Sequence, residues 1–349
     1  MPDPDKVYRV VQWATGVVGS SSLRAIIGHP KLQLVGHYVH SPEKDGRDSG
    51  ELCGLDPVGV RATRSIDEIV ALKPDCVLYM QEGTNVEDLC RLLAAGINVV
   101  TTRGDFHFPP AMDPAVRGRI EEACRQGRSS IHSTGSSPGF ITEAVPAVLT
   151  SIARRLDCLT INEYADIANT CSEQMIFDVM GYGRQSDGKA DQGMVDYMVV
   201  GFGQSLAVVA DALGLRLDSV RGSGDVGTAR NDITLPGGGV IRKGTVAAQR
   251  VTVEGMCDGG ALLRFRCYWY CSLELEQDWE LRETGWRVVV EGDTPMDVQF
   301  YFPRTNQDFA TQMSGYTAHR AVNAVPYVCA ADPGIHSSAD LPQIFARLA

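Results

Sequence analysis

The chain has 349 residues, of which 44% are hydrophobic and 21% charged, a composition typical of a globular protein with about two domains. Its formal net charge of -11 makes binding to nucleic acid or to an anionic membrane surface unfavourable. No uninterrupted apolar run approaches the roughly 18 residues that span a bilayer, and the start "MPDPDKVYRV" lacks the pattern of a signal peptide. We therefore expect a cytoplasmic protein whose partners include neither nucleic acid nor a membrane.

The first half of the chain alternates between strand and helix patterns. Residues 6–14, "KVYRVVQWA", form a β-type run, and apolar residues at helical spacing follow from Val17 to Ile27. Further strand-like runs cover 32–40, 76–80, 97–102 and 129–134, and capped helical stretches cover 85–96 and 113–127. This alternation predicts an α/β Rossmann domain, with a doubly wound parallel sheet and helices on both faces.

Strand patterns dominate the second half. They cover 158–168, 244–257, 260–274, 286–291 and 296–302, and the clearest helix runs from Asp196 to Leu213. The segment "RVTVEGMCDGGALLRFRCYWY" predicts a β-hairpin that turns at Asp258, Gly259 and Gly260. We expect an α+β second domain with a largely antiparallel sheet.

The ten cysteines are scattered singly, without a C-x-x-C pair, and most lie inside apolar segments. This spacing favours reduced, buried thiols over disulfides or a metal site. We therefore expect no metal centre.

A glycine-rich turn follows the first strand. The stretch "WATGVVGSSSLRAI" nearly matches the dinucleotide-binding pattern G-x-G-x-x-G, with Ala14 at the first glycine position. Gly16 and Gly19 occupy the positions where the cofactor comes closest and where the helix packs on the strand. The methyl group of Ala14 is tolerated if its φ stays negative. The predicted phosphate site comprises Ala14, Thr15, Gly16, Val17, Val18 and Gly19.

The end of the second strand predicts which nucleotide binds. His40 and Ser41 stand where an acidic residue would bind the ribose 2′-hydroxyl, and Lys44 and Arg47 follow. These residues favour NADP, with NAD possible, because basic side chains can bind a 2′-phosphate. Glu43 is a carboxylate in the same loop, and the alternative is that the two basic residues are ordinary solvated charges.

The catalytic candidates lie at strand ends, because ligands of doubly wound sheets cross the carboxyl ends of the strands. Asp105 is the first choice for proton transfer, with the N-cap of a turn as its alternative role; His107 is a second proton carrier or a structural histidine. Candidates for contact with the nicotinamide and its ribose are Gln81, Glu82, Thr102, Gly104, Ser137 and Pro138.

The second domain supplies further candidates from "NEYADIANT". Alternation along a strand puts Tyr164 and Asp166 on one face and Glu163 on the other. The first pair could complete the catalytic pocket, and cross-strand pairing is the alternative. Weaker candidates for substrate contact are Tyr182, Tyr316, His319 and Asn323.

Four motifs together resemble a known group: the glycine turn, "TTRGDF", "STGSSPGF" and "AVNAVPYVCAADPGIHSSADLPQI". The chain is similar over nearly its whole length to the dihydrodipicolinate-reductase-like oxidoreductases, and within them to the 2,4-diaminopentanoate dehydrogenase and native amine dehydrogenase branch. The resemblance implies a Rossmann domain at 1–139 with a C-terminal return at 317–349, and a domain at 140–316 for substrate binding and homodimerisation.

The same resemblance implies particular roles. The branch has a catalytic glutamate shortly after the fourth strand, where Asp105 would act here. Its junction motif G-x-N-P-G-F appears as "GSSPGF" with Ser137, and its helix motif H-V-G-x-x-E-S appears as "VVGFGQS" with Val200 and Gln204. The H-H-x-x-K segment of true dihydrodipicolinate reductases is missing, since no two histidines are adjacent.

The residues and the resemblance lead to one expectation of function. The protein would be an NAD(P)-dependent oxidoreductase that transfers a hydride between NADP(H) and a small carbonyl or imine, as an amine dehydrogenase does. One alternative is an alcohol or ketone oxidoreductase that uses no ammonia. The other is a non-catalytic NADP-binding sensor.

Overall fold

The computed structural model describes residues 2–305 and 308–349. The chain forms two compact units, one made of Met1–Phe140 with Ser314–Ala349 and the other of Ile141–Met313. The C-terminal segment therefore belongs to the same unit as the glycine turn.

The first unit contains, in chain order, β1 (Tyr8–Trp13), α1 (Val17–Ile27), β2 (Leu32–Tyr38), α2 (Ser49–Leu52), β3 (Ala62–Thr63), α3 (Ile66–Ala71), β4 (Cys76–Tyr79), α4 (Val86–Ala94), β5 (Asn98–Thr101), α5 (Pro114–Gly127) and β6 (Ser130–Ser133). The second contains α6 (Val145–Thr150), β7 (Leu156–Asp166), α7 (Gln192–Ala212), β8 (Ser219–Thr228), β9 (Ile233–Thr234), β10 (Val240–Ile241), β11 (Val246–Cys257), β12 (Gly260–Tyr270), β13 (Gly285–Gly292) and β14 (Met296–Tyr301). Helix α8 (Phe309–Cys329) begins in the second unit and continues in the first, which also holds β15 (Gly334–His336).

The first unit is a Rossmann fold, as the alternating pattern predicts. Its seven strands lie in the order β15, β6, β5, β4, β1, β2, β3, and every neighbouring pair is parallel. Successive side chains of a strand point to opposite faces, and both faces are covered. Val10 packs with Ile26 of α1 and Val325 of α8, whereas Val11 packs with Leu89 of α4 and other residues of the opposite layer. Burial on both faces explains why the central strand β4, with the sequence CVLY, is wholly apolar.

The second unit has a largely antiparallel six-stranded sheet, in the order β14, β13, β7, β12, β11, β8. Only β7 and β12 are parallel neighbours in it. The β11–β12 hairpin turns at Asp258 and Gly259, whose φ values are +51° and +80°, as the twist of the flanking strands requires. The α+β architecture expected from the sequence is confirmed.

Helix α7 packs on this sheet. Phe202 stacks on Phe265 of β12 with ring centroids 3.7 Å apart, and Val195 lies over Gly224 of β8. By length and composition α7 would be able to cross a membrane, although the sequence shows no uninterrupted apolar run of that length, but 50% of its most apolar window is buried within the protein. A core helix of a globular domain has these same properties.

Candidate nucleotide and active site

The glycine turn adopts a conformation that the sequence does not reveal. Ala14 has φ +68°, so the expectation of a negative φ is wrong. Two hydrogen bonds fix this residue: its N–H donates to the Tyr38 carbonyl at 2.8 Å, and its carbonyl accepts from Gln12 Nε2 at 2.9 Å. Both contacts are made from strands of the sheet, which therefore hold Ala14 in a left-handed conformation that usually favours glycine.

The two remaining glycines fulfil the roles predicted for them. A Cβ at Gly19 would overlap the Ala14 carbonyl oxygen, whereas a Cβ at Gly16 would meet no atom within 4 Å. Gly16 provides no side-chain cap for α1, and the first turn of α1 contains no acidic residue. The N-terminus of α1, where Val17 is 69% exposed, can therefore offer backbone N–H groups to an anion.

The loop after β2 lies beside this turn. Lys44 Nζ donates to Thr15 Oγ1 at 3.0 Å and to the Thr15 carbonyl at 3.2 Å. The Ser41 hydroxyl donates to Glu43, and this bond is the main reason why the pKa of Glu43 lies below its usual value. Arg47 is exposed. The loop thus presents a lysine and an arginine together with an ionised carboxylate.

Arg64 is a further basic residue beside the loop that follows β2. The sequence analysis does not predict it. Its Nε donates to the His40 carbonyl at 3.0 Å. The short strand β3 explains the contact, because it pairs with β2 and sets Tyr38 opposite Thr63, next to Arg64. Two residues of strand give almost no signal in a sequence, so only the sheet shows that Arg64 belongs to this loop.

Gln81, which follows β4, contacts residues at or just after the ends of β1 and β2. Its Oε1 accepts from Trp13 Nε1 at 2.7 Å and lies 2.9 Å from His40 Nε2, so Nε2 of His40 must hold the proton. The Trp13 ring stacks on Tyr38 with centroids 3.7 Å apart. Of the predicted cofactor contacts, Gln81 and His40 are therefore brought together, whereas Glu82 is an exposed neighbour of Gln81.

Asp105 lies just after β5 in the turn Gly104–Phe106. Its Oδ2 accepts from Thr84 Oγ1 at 2.6 Å and lies 3.6 Å from Arg103 Nε, and its side chain is 52% exposed. The N-cap of this turn is Arg103, so the alternative role for Asp105 as an N-cap is wrong. Asp105 is instead an accessible carboxylate that a hydroxyl and a cation hold in place.

Its sequence neighbours differ in exposure. A Cβ at Gly104 would meet no atom within 4 Å, so this backbone is open to an approaching group. His107 is only 2% exposed, which counts against a role in proton exchange with a ligand. The Thr102 hydroxyl donates to Met80 Sδ at 3.5 Å and is thus engaged within the fold.

The junction segment contains a cis peptide bond between Ser137 and Pro138. Ser137 Oγ is buried and has no hydrogen-bond partner among residues 2–305 and 308–349. Its neighbour Ser136 is bound through Oγ to Thr317 Oγ1 of α8 at 2.7 Å. The Ser137 hydroxyl is therefore a fitting group for a polar ligand at the carboxyl edge of the sheet.

In the second unit, the strand-face prediction for β7 agrees with the contacts. Tyr164 stacks on Tyr268 with centroids 4.9 Å apart, and burial raises its pKa. Glu163 accepts instead from the indole N–H groups of Trp269 at 3.3 Å and Trp286 at 3.2 Å. Tyr164 is thus a packed side chain, and the cross-strand alternative describes it well.

Asp166 is more accessible. Its Oδ2 accepts from Asn169 Nδ2 at 2.7 Å and Arg304 Nη2 at 3.2 Å, and Oδ1 is buried with no partner in the described part of the chain. It lines a cavity of about 450 Å³ together with Tyr270 and Glu283. Asp166 can therefore bind a hydrogen-bond donor within this unit.

Two weaker candidates prove to be structural. Tyr182 is 3% exposed and donates to the Trp269 carbonyl at 2.8 Å, and burial holds its pKa well above the usual value. Asn323 hydrogen-bonds His29, which follows the C-terminus of α1, at the opposite end of that helix from the glycine turn. Burial lowers the pKa of His319, so its imidazole stays neutral at neutral pH.

The family model for the 2,4-diaminopentanoate dehydrogenase C-terminal domain matches residues 140–349. The chain belongs to the 2,4-diaminopentanoate dehydrogenase family. The branch implied by the sequence motifs is therefore confirmed, and the protein is an enzyme of the dehydrogenase class.

Named relatives cover most of the chain. An amine dehydrogenase from Streptomyces virginiae is 27% identical over an alignment of 346 residues that covers 95% of this chain and 95% of that protein. The 2,4-diaminopentanoate dehydrogenase of Acetoanaerobium sticklandii is 24% identical over 249 residues, covering 70% of this chain and 67% of that protein. The structure of an amine dehydrogenase from Mycobacterium smegmatis has the same fold, with a TM-score of 0.74, 19% identity and 98% of both chains covered.

Proposed function

We propose that this dehydrogenase uses a nicotinamide nucleotide to interconvert a small ketone and the corresponding amine, with ammonia as co-substrate. The observation on which this rests is that the glycine turn after β1 and the accessible Asp105 after β5 lie at the same carboxyl edge of one parallel sheet. Hydride transfer to a C=O or C=N carbon needs a nucleotide site and a nearby group that moves protons. The similarity to two proteins named as dehydrogenases of amines supports the choice of substrate class.

Each residue of the candidate site would have a separate role in binding or proton transfer. The N-terminus of α1 and the open backbone of Gly16 would hold the pyrophosphate, and the Ser137 hydroxyl would bind a polar group of the nucleotide or substrate. The nucleotide, when bound, supplies the hydride. Ammonia would add to the carbonyl carbon of the ketone and give a carbinolamine. Asp105 would donate the proton with which the carbinolamine hydroxyl leaves as water, and the carboxylate that remains on Asp105 would stabilise the resulting iminium. Thr84 is a positioning residue, because its hydroxyl fixes Asp105 Oδ2.

The first prediction concerns turnover. The protein should oxidise NADPH in the presence of a ketone and ammonia, and Asp105→Asn should lower kcat at least tenfold with little change in nucleotide affinity, because the amide cannot transfer the proton. Glu121→Gln, at an exposed carboxylate on α5, is the matched control and should behave as the wild type. Absorbance of NADPH with and without ammonia measures the reaction.

Three results would contradict this reading. Turnover that does not depend on ammonia would favour a ketone reductase, and tight NADPH binding without turnover would favour the sensor. Unchanged turnover of Asp105→Asn would remove this residue from the mechanism.

Thr84→Val should reproduce part of the Asp105→Asn defect and Thr84→Ser should restore activity, because only the hydroxyl contacts the carboxylate.

The second prediction is that NADPH is preferred over NADH. Lys44, Arg47 and Arg64 at the end of β2 support this choice, since each can bind a 2′-phosphate. Arg64→Ala and Arg47→Ala should each raise KM for NADPH about tenfold, the value of one charge-assisted hydrogen bond, and leave KM for NADH nearly unchanged. Glu43→Gln should improve NADPH binding because it removes a repelling carboxylate. Arg125→Ala on α5 serves as the control, and equal changes for both nucleotides would refute the assignment.

A further inference from the structure

Two cysteines that are far apart in the sequence meet at the edge of the Rossmann sheet where its strands begin. Cys76 is the first residue of β4, and Cys329 is the last residue of α8. Cys329 Sγ lies 3.6 Å from the carbonyl oxygen of Asp75, the residue before Cys76, and the two thiols are close enough to share a hydrogen bond. Both residues belong to the first unit, and both are free thiols. We call them the thiol pair.

The two members of the thiol pair differ in exposure. Cys76 is fully buried, in a core cluster with Val325 and Val328 of α8, whereas Cys329 packs against the same cluster and is partly exposed. Burial is the main reason why the pKa of the Cys76 thiol lies well above its usual value. An oxidant in the solvent therefore reaches Cys329 first, and Cys76 is the neighbour with which the oxidised sulfur can react.

A lysine and a tyrosine lie beside Cys329. Both Lys6 and Tyr8 of β1 are near enough for their charges to interact with that of its thiolate. Lys6 is held in place by an ion pair with Asp75 at 2.7 Å, and its ammonium group lies 4.9 Å from the centroid of the Tyr8 ring. A fixed ammonium group can stabilise the hydroxide that leaves when a thiolate attacks hydrogen peroxide.

We propose that the thiol pair is a redox-sensitive modification site, at which a peroxide converts the two thiols into a disulfide that fastens the end of α8 to β4. The Cys329 thiolate attacks hydrogen peroxide and breaks its O–O bond, which leaves a sulfenic acid on Cys329 and a hydroxide that the proton released from Cys329 turns into water. Cys76 Sγ then attacks this sulfur, so that the S–S bond forms as the S–O bond breaks, and the Cys76 proton leaves with the oxygen as a second water. The two sulfur atoms together lose two electrons, and the peroxide gains them.

The disulfide would restrain the last residue of a helix that already contacts the nucleotide-binding unit elsewhere. Thr317 of α8 is bound to Ser136 at 2.7 Å, and Ser314 is bound to Ser21 of α1 at 2.8 Å. A covalent bond between β4 and the end of α8 closes a long loop of chain and lowers the entropy of the unfolded state. We therefore expect oxidation to raise the midpoint of thermal unfolding by about 5 °C or more.

The test treats the full-length protein with a small molar excess of hydrogen peroxide. Titration of the denatured protein with a chromogenic thiol reagent should then show the loss of two of the ten thiols. Peptide mass spectrometry should show Cys76 joined to Cys329 with the loss of two hydrogen atoms. The midpoint of thermal unfolding should rise as stated and return to its starting value when dithiothreitol reduces the bond.

Three variants test which cysteines are involved. Cys329→Ser should abolish both the cross-link and the thermal shift, whereas Cys257→Ser, at another partly exposed cysteine, is the matched control and should retain them. Cys76→Ser should leave a sulfenic acid on Cys329 that dimedone labels, and the peptide map of the wild type tests the same bond if that variant does not fold. A cross-link between other cysteines, oxidation of Cys329 beyond the sulfenic acid while Cys76 stays a thiol, or an unchanged midpoint in the cross-linked protein would overturn the proposal.

Discussion

Ala14, Gly16 and Gly19 share one turn, yet the structure places different demands on them. Ala14 keeps its left-handed φ although an alanine there costs roughly 1 kcal/mol. The Gln12 amide holds its carbonyl oxygen, and that same oxygen leaves no room for a Cβ at Gly19. Gly16, in contrast, has a φ of -73° and open space, so its lack of a side chain benefits a ligand and not the fold.

This difference predicts opposite effects for two matched variants. Gly19→Ala should lower the free energy of unfolding by about 1 to 3 kcal/mol, the usual cost of overpacking. Gly16→Ala should leave stability unchanged but weaken nucleotide binding at least tenfold, because the methyl group would occupy the space needed by the pyrophosphate. Denaturant unfolding without nucleotide and calorimetric titration with NADPH measure the two effects. Equal loss of stability, or wild-type affinity in Gly16→Ala, would contradict this assignment.

At the scale of elements, those with local signals were predictable. Helices α4 and α5 begin after Asn85 and Asp113, whose side chains accept N–H groups of the first turn as the sequence indicates. Strand β8 was missed, because "SVRGSGDVGT" contains three glycines and no strand alternation. It exists through pairing with β11, and Gly222 is needed because a Cβ there would collide with Val199 of α7. Tertiary packing thus replaces the propensity that the segment lacks.

The residues of the candidate site also differ in whether a local sequence signal predicts them. The glycine turn, Lys44 and Asp105 could be found from the sequence, because their signals are local motifs and strand ends. Thr84 and Arg64 could not, since each reaches its partner only through the pairing of two strands, β4 with β5 and β2 with β3, whose register the sequence does not reveal. The homodimer and the cytoplasmic location implied by the sequence stay predictions.

At the scale of the whole molecule, one buried histidine couples folding to pH. His37 of β2 is fully buried, and its Nδ1 lies 3.1 Å from Ser49 Oγ. That hydroxyl donates to the Val60 carbonyl at 2.7 Å, so Nδ1 must donate to it and Nε2 holds no proton. Nε2 has no partner within the described ranges. Burial, and to a smaller extent the charge of Lys44, lowers the pKa of His37 from 6.5 to about 4.

The unfolded chain therefore binds a proton at His37 between pH 6.5 and about 4, where the folded chain does not, and stability falls as the pH decreases through this window. The expected loss between about pH 7 and pH 5 is about 2 kcal/mol. His37→Gln should lack this part of the pH dependence, since glutamine does not titrate, whereas His336→Gln, at a position outside the core, should retain it. Denaturant unfolding of the three proteins at both pH values measures the difference. An equal loss of stability in His37→Gln and the wild type would show that another group governs the acid sensitivity of the fold.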